Sequence, residues 1–320
     1  MQLSVGFWAS GILSAAVTHR VFDHLQDAAS TAEFARRARV SPRGAQALLD
    51  GLLGLDLIQL DGGKYSNTAE ASTFLVSNAP RYVGSFAEMF QTDIARWAHI
   101  CEAVKTGNPP YQIYEDHDEM DWDRLALNIA PLAYPPANAS AEHLGIPSFG
   151  PFRMLDVGGG AGVYSVVWLS KNQSGAATQI DWGKTNAVAR EYVKRSGVAD
   201  RFSTIDGNLL ETDFGDRQFD FVIYAHMAHG FGAEQNVDVM RRFRRALKSG
   251  GTLIITDFVL SDQRRGSVMA LLFSANMLHA TEQGQAWCEG DYRNWAAVAG
   301  FGHIEFQSLA PNSTTLIYLK

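Results

Sequence analysis

The stretch of sequence that decides the fold of this chain is LDVGGGAG, residues 155–162. It joins a short apolar run at 154–157 to a segment that we predict to be a helix over 162–171. Glycines in such a loop let the backbone turn tightly and let a ligand approach amide groups that a Cβ would shield. A dinucleotide fingerprint would be GxGxxG, but Val163 stands where the third glycine is required. The loop therefore disfavours a dinucleotide, although a tight turn without a ligand is an alternative interpretation.

Strands and helices alternate after this loop, a pattern typical of a parallel sheet covered by helices. The chain then ends in two strands joined by a turn at Pro311-Asn312-Ser313. A final antiparallel pair beside a doubly wound parallel sheet is typical of class I methyltransferases rather than dinucleotide dehydrogenases. The predicted fold is therefore α/β, with a Rossmann-like class I methyltransferase sheet and an antiparallel final hairpin. The predicted strands span 154–157, 178–181, 202–205, 219–224, 252–258, 303–309 and 314–319, and the predicted helices between them 162–171, 187–196 and 235–247.

An acidic residue ends the second predicted strand of this sheet. Asp181 follows Gly160 by about 20 residues, the spacing at which a carboxylate binds the ribose hydroxyls of a nucleotide. The loop and the carboxylate together suit S-adenosylmethionine, whose amino-acid end would lie against the glycines. Trp182 would cover one face of the adenine, or else lie in the core. The predicted cofactor-binding residues are Asp156, Gly158, Gly160, Asp181, Trp182, Asn208, Leu209 and Tyr224.

The first 80 residues have the pattern of short helices followed by a hairpin. We expect the first helix to continue through residues 21–25, and Ser30 and Ser41 to begin two further helices. Strands at 57–60 and 64–66 then flank a glycine turn. This order of elements predicts a winged helix, and the N-terminal domain is expected to be mainly helical.

Winged helices often bind DNA, so the charge of this one matters. Basic and acidic side chains nearly balance over residues 1–80, and the predicted recognition helix carries only Arg43. A DNA reader needs several phosphate and base contacts. We therefore favour dimerisation as the role of this domain and keep a ligand-responsive DNA regulator as a rival hypothesis.

Composition places the chain among ordinary globular proteins. Its 320 residues are 46% hydrophobic and 19% charged, which suits two domains with sizeable cores. The net charge of −7 opposes a general nucleic-acid partner. Cys101 and Cys288 have no CxxC spacing, so we expect neither a disulfide framework nor a zinc cluster, and a cytoplasmic location.

Residues 1–18 carry no charge, which is a pattern shared by signal peptides and membrane anchors. The stretch lacks a basic region and is interrupted by serines and a glycine. We therefore expect no membrane partner, and interpret the stretch as a helix covered by a partner subunit.

We divide the chain into a dimerisation domain at 1–84, a helical linker that covers the acceptor pocket at 85–145, and a cofactor-binding domain at 146–320. The acidic run at 115–123 contains possible cation ligands but lacks the glycine and alternation of a calcium loop. A solvated acidic segment is the favoured interpretation, and no metal site is predicted.

Four segments carry a likeness to known proteins: residues 155–162, Met227–Phe231, Arg245–Gly251 and Ala299–Phe301. With them the chain resembles the small-molecule O-methyltransferases that have an N-terminal dimerisation winged helix, of the caffeate and hydroxyindole type. It is most similar to bacterial members acting on secondary metabolites. The resemblance covers nearly the whole chain and implies S-adenosylmethionine as cofactor and a homodimer. It is specific for fold and cofactor and weak for substrate.

The resemblance also implies a general base, His229, in a family where a histidine takes the proton from the acceptor hydroxyl. Imidazole suits this role because it is mostly neutral at pH 7. Plant-type members have two further acids, but Gly230 and Ala286 stand at the matching positions. Asp257 keeps a carboxylate at the end of the fifth strand, so His229 is oriented by Asp257 alone, or its acceptor needs little activation.

We expect the acceptor between the carboxyl edge of the sheet and its helical cover. Aromatic and methionine side chains suit a planar hydrophobic ligand. The predicted reaction moves a methyl group to a hydroxyl of an aromatic or polyketide-like small molecule. Rival hypotheses are a C- or N-methyltransferase and a cofactor-binding cyclase that transfers no methyl group. The predicted acceptor-binding residues are Met89, Trp97, His226, Phe273, Asn276, Met277 and Trp287. Core packing is the alternative interpretation for each of these residues taken singly, and for His226 a packed structural role is favoured.

Overall fold

The computed structural model describes residues 3–110, 122–309 and 314–320 of the chain. Its residues group into two units, Met1–Ala98 and His99–Lys320. The division at residues 84 and 145 stays a prediction. None of the helices in the described ranges combines the length and apolar character that a membrane crossing needs.

The first unit consists of helices and one antiparallel hairpin. Ser30 begins the third helix through a capping box, because its side chain accepts from the Glu33 amide and the Glu33 carboxylate accepts from the Ser30 amide. The expected continuation of the first helix is wrong: it ends at Thr18, and Arg20 adopts a left-handed backbone (φ 50°) before a separate short helix. The elements are α1 (Gly6–Thr18), α2 (Val21–His24), α3 (Thr31–Ala38), α4 (Pro42–Gly54), β1 (Ile58–Asp61), β2 (Lys64–Asn67), α5 (Ala69–Phe74) and α6 (Phe90–Trp97), with 3₁₀ turns at Leu3–Val5 and Gly84–Met89.

In the second unit, seven strands of the described residues form one sheet, in the order β5-β4-β3-β6-β7-β9-β8. All neighbouring strands are parallel except at β9, which is antiparallel to both of its neighbours. The predicted fold class is confirmed. The elements are α7 (Ile100–Thr106), α8 (Trp122–His143), β3 (Arg153–Val157), α9 (Val163–Lys171), β4 (Ala176–Asp181), α10 (Gly183–Arg195), β5 (Phe202–Asp206), β6 (Phe219–Ala225), α11 (Ala233–Ala246), β7 (Leu247–Asp257), α12 (Val268–Ala280), α13 (Glu289–Ala299), β8 (Ile304–Leu309) and β9 (Thr314–Leu319), with 3₁₀ turns at Ile146–Ser148, Ala199–Arg201 and Ala228–Gly230.

A hydrophobic core lies on each face of this sheet. One contains fully buried Tyr224 and Phe243 from β6 and α11, and the other contains fully buried Trp168 of α9. Successive residues of β3 alternate between the two cores, as the period of a strand requires. Since both faces are covered, ligands can reach the sheet only at its edges and strand ends.

Two element boundaries differ from the sequence prediction in ways that affect the strand ends. Helix α10 begins at Gly183 rather than at residue 187, because Trp182 is its N-cap and accepts the first helical hydrogen bond from the Asn186 amide. Strand β7 begins at Leu247 rather than at 252, since it pairs with β6 through an irregular register beside Gly250 and Gly251. The earlier helix start places Asn186 inside the first turns of α10.

Candidate active site

The glycine loop lies between β3 and α9, at the carboxyl edge of the sheet. Gly158 and Gly160 both have positive φ values, of 65° and 57°, that other residues rarely adopt. A Cβ on Gly158 would lie 2.6 Å from the Met227 Sδ atom. The loop therefore approaches the Met227 side chain after β6 closely, and its positive φ values favour glycine at these positions.

Asp181 ends the neighbouring strand β4 and contacts this loop directly. Its Oδ2 atom accepts a hydrogen bond from the Gly160 amide at 2.9 Å, and its Oδ1 atom accepts one from the Trp182 amide at 2.8 Å. Burial raises the pKa of this carboxyl to about 6, against the opposing effect of the two amides. Each carboxylate oxygen can accept a further hydrogen bond, so Asp181 retains capacity for a ligand hydroxyl.

Three of the predicted cofactor residues are buried beneath the carboxyl ends of the strands. Asp156 is 1% exposed, and its Oδ2 atom accepts from the Ser165 hydroxyl at 2.9 Å. Burial raises its pKa to about 7. Tyr224 is fully buried with its hydroxyl on Asn236, and Leu209 belongs to the same core. These side chains pack behind the strand ends, and their part in cofactor binding stays a prediction.

The other two predicted cofactor residues lie nearer the surface. Trp182 is half-buried at the start of α10. Asn208 is also half-buried and accepts a hydrogen bond from the Leu210 amide at 3.0 Å, which shapes the segment after β5. Both lie on segments that follow the carboxyl ends of β4 and β5, on the same side of the sheet as Asp181.

A histidine and a carboxylate pair at the ends of β6 and β7. His229 lies in the 3₁₀ turn after β6, and its Nδ1 atom is 2.6 Å from the Asp257 Oδ1 atom. The His229 amide also donates to Asp257 Oδ2 at 3.0 Å. Asp257 is fully buried and accepts further hydrogen bonds from the Phe258 amide and, at 3.1 Å, from the Tyr292 hydroxyl.

These contacts fix the protonation of the pair. Burial by itself raises the pKa of Asp257, but the adjacent His229 and the donated hydrogen bonds outweigh burial and lower it below its ordinary value. The carboxylate is therefore ionised and can only accept, so His229 Nδ1 carries the proton. In the neutral imidazole this leaves Nε2 as the proton-accepting nitrogen.

Hydrogen bonds from Asn236 and Trp287, and close packing of Gly284, hold the turn that carries His229. The Ala228 carbonyl accepts hydrogen bonds from the Asn236 side chain at 2.9 Å and from the Trp287 indole at 3.3 Å. A Cβ on Gly284 would lie 2.3 Å from the His229 carbonyl oxygen. Trp287, predicted to bind the acceptor, is 8% exposed and supports this turn.

Aromatic rings surround the His229 imidazole. Phe273 of α12 meets it edge to face with ring centroids 4.7 Å apart, and Phe258 lies 4.5 Å from Phe273. His226 contacts Phe258 and has a left-handed backbone with φ of 53°, which is unusual for a residue with a side chain. Burial lowers the pKa of His226 to about 4, so its imidazole is neutral at pH 7.

His226, His229 and Asp257 each place one ligand-type atom within 4.8 Å of the others. Two ligands of one tetrahedral metal ion would normally stand roughly 3.4 Å apart, given metal–ligand distances of about 2.1 Å. The His229–Asp257 separation of 2.6 Å is that of a short hydrogen bond. The arrangement favours a proton-handling pair over a metal site.

The remaining predicted acceptor residues are dispersed. On α12, Asn276 Oδ1 lies 3.1 Å from His279 Nε2, and Met277 is buried. Met89 and Trp97 belong to the first unit, so their part in the site stays a prediction. Residues 115–121 of the acidic run lie outside the described residues.

Ala286, at the position of a family acid, is fully buried against Leu260 and Ala270. It offers no group to His229. Tyr292 was missed by sequence reasoning, because a tyrosine 35 residues after Asp257 carries no local signal. Gln179 and Asn186, which contact the glycine loop and Asp181, were also missed.

Two family models match the chain. The O-methyltransferase domain matches residues 144–302, and the O-methyltransferase dimerisation domain matches residues 1–77. The chain belongs to the O-methyltransferase family. The first match contains the glycine loop, Asp181 and both residues of the His229–Asp257 pair of this methyltransferase, and the second supports a homodimer.

Known relatives agree with this assignment. The 3-hydroxy-5-methyl-1-naphthoate 3-O-methyltransferase of Streptomyces sahachiroi is 28% identical over 314 residues, covering 95% of this methyltransferase and 89% of the relative. A solved structure assigned as an O-methyltransferase, from Nostoc punctiforme, has a TM-score of 0.91 at 25% identity over 99% of this chain and 97% of its own. Human N-acetylserotonin methyltransferase, solved in complex with SAM, shares the fold, with a TM-score of 0.86 at 23% identity over 100% of this chain and 95% of its own.

S-adenosylmethionine is the cofactor of this family, and the described residues fit it. The positive φ values at Gly158 and Gly160 leave the loop without side chains where a ligand would approach. Asp181 has unused acceptor capacity beside that loop, and the backbone amides that donate to it among the described residues are neutral. A ligand with ribose hydroxyls matches both properties.

Proposed function

We propose that this enzyme transfers a methyl group from S-adenosylmethionine to a hydroxyl of an aromatic or polyketide-like small molecule, with His229 as general base. The observation that carries the proposal is the 2.6 Å contact between His229 Nδ1 and Asp257, because it sets Nε2 as the proton acceptor. A methyltransferase acting on a hydroxyl needs such an acceptor. The hydroxyl oxygen becomes a strong nucleophile only as its proton leaves.

The donor site is proposed at Gly158, Gly160 and Asp181, with Trp182 and Asn208 at its margin. When bound, S-adenosylmethionine supplies an electrophilic methyl group on a sulfonium centre. The chain supplies orientation: the Asp181 carboxylate is held by two amides at 2.9 and 2.8 Å, so it is in place before the ligand arrives. Asp156 is proposed to support the loop from below.

Proton transfer is proposed to run through His229 Nε2. Asp257 holds the imidazole orientation and stabilises the imidazolium that forms, and Tyr292 holds Asp257. His226, neutral because of its burial, adds no positive charge that would oppose protonation of His229. Its imidazole can exchange a hydrogen bond with a polar group of the acceptor.

The proposed acceptor is a hydroxylated, planar ring system. Phe258 and Phe273 stand beside His229 and offer aromatic surface against which such a ring can pack. The Streptomyces sahachiroi relative is named for methylation of a hydroxynaphthoate, which is a ligand of this kind. Asn276 and Met277 on α12 are proposed as further acceptor contacts, and the assignment of Met89 and Trp97 stays a prediction.

Dimerisation is proposed to cover the first helix. Phe7 and Trp8 of α1 are 52% and 63% exposed within a stretch that carries no charge. Large exposed apolar side chains of this kind mark an interaction surface. A second copy of the chain is the occupant that the dimerisation-domain match supports.

The proposal is tested by incubating the enzyme with S-adenosylmethionine labelled in its methyl group and a panel of hydroxynaphthoates, phenols and catechols. Mass spectrometry of the products should find the label on oxygen, and His229→Ala should abolish most of the product. Label on nitrogen or carbon would replace the reaction type while keeping the cofactor. A changed acceptor with no label would support a cyclase and overturn the proposal.

A further inference from the structure

We propose that Gln179 and Asn186 form a buried amide pair that positions the donor site, by joining the glycine loop to the ends of β4 and β5. The inference rests on the proposed donor site and adds two positioning residues to it. Neither residue has an exposed side chain, since both are 0% exposed. They act through the groups that would touch the ligand.

Gln179 is the contact between the pair and the glycine loop. It lies on β4, two residues before Asp181, and its Nε2 atom donates to the Gly160 carbonyl at 3.0 Å. The same nitrogen donates to Asn186 Oδ1 at 3.1 Å. Both hydrogens of the amide are used, so the orientation of the Gln179 side chain is fixed by its partners.

Asn186 continues this connection to two strand ends. It lies in the first turns of α10, and its Nδ2 atom is 3.0 Å from the Asp181 carbonyl, 3.0 Å from the Ile205 carbonyl and 2.7 Å from Asp206 Oδ1. Asp181 and Asp206 are direct neighbours in the parallel register of β4 and β5. The Asn186 side-chain amide therefore holds both the backbone of Asp181 and the side chain of Asp206, the residue paired with Asp181 on β5.

The close approach of Gly159 shows how tightly the loop rests on this pair. A Cβ on Gly159 would lie 2.5 Å from Gln179 Oε1 and 2.9 Å from Asp156 Cγ. No side chain fits between the loop and Gln179. The loop cannot shift toward the sheet, and it cannot move away without losing the bond from Gln179 to Gly160.

Apolar side chains would fill this space at a lower desolvation cost than two amides. The amides instead connect the loop, the Asp181 backbone and Asp206, which are the segments that border the proposed adenosine site. Hydrogen-bonded groups behind a binding residue commonly set its orientation and its affinity. The expected role of the pair is therefore to hold these segments at the spacing the donor requires.

The test compares Asn186→Ala with a matched control, Asn172→Ala. Asn172 is a 5% exposed asparagine after α9 that likewise donates to two carbonyls, those of Ile146 and Phe149, and accepts from the Ser174 amide. Both variants lose a buried amide, so both should lower the melting temperature. Calorimetry with S-adenosylhomocysteine should find affinity about tenfold weaker in Asn186→Ala and unchanged in Asn172→Ala.

A second variant guards against loss of folding. Gln179→Met keeps the volume of the side chain and removes only its polar contacts, so it should fold while weakening S-adenosylhomocysteine several-fold. In Asn186→Ala and Gln179→Met the KM for S-adenosylmethionine should rise, with kcat at saturating donor within about twofold of the wild type. This split separates positioning of the donor site from general damage.

Equal affinity in the wild type, Asn186→Ala and Gln179→Met would overturn the inference. So would an affinity loss in Asn172→Ala as large as in Asn186→Ala, because it would follow from lost stability alone. Asp181→Asn separates failure of the proposed donor site from failure of the proposed role of the amide pair. If it too binds S-adenosylhomocysteine like the wild type, the donor site itself is wrongly placed. If only Asp181→Asn loses affinity, the site stands and the role of the pair does not.

Discussion

Two aspartates at the carboxyl edge of the same sheet, Asp181 and Asp257, show opposite pKa shifts. Asp181 ends β4 and receives hydrogen bonds from two backbone amides, and its pKa is raised to about 6 by burial. Asp257 ends β7 and faces His229, Tyr292 and the Phe258 amide, and its pKa is lowered despite complete burial. The difference lies in the partners and not in the depth.

We infer from this contrast that the two regions at the carboxyl edge of the sheet have different roles. Asp257 has its hydrogen-bond partner, His229, built into the chain, so the pair is assembled before any ligand binds. Asp181 has neutral amide donors among the described residues, and the ribose hydroxyls of the proposed donor would add further hydrogen bonds to it. We interpret the His229–Asp257 region as assembled for catalysis before any ligand binds, and the Asp181 region as completed only when the donor binds.

Replacing His229 should produce the largest effect. His229→Ala removes the proton acceptor and should lower kcat for O-methylation by roughly 10² to 10⁴. The affinity for S-adenosylhomocysteine, measured by calorimetry, should stay close to that of the wild type, because the donor region is untouched. Unchanged turnover would remove His229 from the role of base.

Asp257→Asn should lower kcat by about 10², since the neutral amide cannot stabilise the imidazolium. Steady-state kinetics with saturating donor measures this effect. Asn276→Ala, which removes a proposed acceptor contact on α12 outside the His229–Asp257 pair, should have a smaller effect on kcat. A comparable loss of donor affinity in Asp257→Asn would contradict the separation of the two regions.

Asp181→Asn should show the reverse pattern. Loss of the charge-assisted hydrogen bonds to the ribose should weaken S-adenosylhomocysteine about tenfold or more, with little change in kcat at saturating donor. Calorimetry and the KM for the donor measure the two halves of this prediction. A fall in kcat without a change in affinity would show that the carboxylate acts on the reaction and not on binding.

The pH dependence of binding should be the smallest effect that separates the regions. With a pKa of about 6, Asp181 is mostly protonated at pH 5, and affinity should rise about tenfold between pH 5 and pH 7 as it ionises. Asp181→Asn should flatten this rise. Asp156, whose pKa is about 7, titrates nearby, so Asp156→Asn is the control for its share.

The same shifts give opposite signs for stability in the absence of ligand. The pKa of Asp181 is higher in the folded than in the unfolded protein. Its contribution to the free energy of unfolding is therefore present at low pH and is lost as the pH rises through about 6. The folded pKa of Asp257 is below its unfolded value, so its contribution is present above that value and is lost on acidification. Thermal unfolding of Asp181→Asn across pH 4 to 7 should reveal the first trend.

Much of this arrangement could be predicted from sequence because it is local. The glycine loop, the acidic end of β4 and the final hairpin each lie within a few consecutive residues, and they determined the sheet and its cofactor edge. His229 and Asp257 were predicted from the family resemblance, in which a histidine follows the fourth strand and a carboxylate ends the fifth.

The missed features depend on contacts that are distant in sequence. Tyr292 reaches Asp257 from α13, and Gln179 meets Asn186 only because α10 begins at Gly183, earlier than its apolar pattern indicated. The Tyr224 hydroxyl donates to Asn236 of α11 within the core, which is another contact that the sequence did not reveal. The periodicity of a strand predicts which face a residue lies on, but it does not predict which distant residue that side chain contacts.

In the proposed arrangement the donor binds between the glycine loop and Asp181, with the His229–Asp257 pair on the neighbouring strands. A crystal structure with S-adenosylhomocysteine would show where the donor lies. We expect ribose hydroxyls within hydrogen-bond distance of the Asp181 carboxylate and the ligand lying over Gly158–Gly160. A ligand bound elsewhere on the protein, with the Asp181 carboxylate still contacting only the chain, would rule this arrangement out.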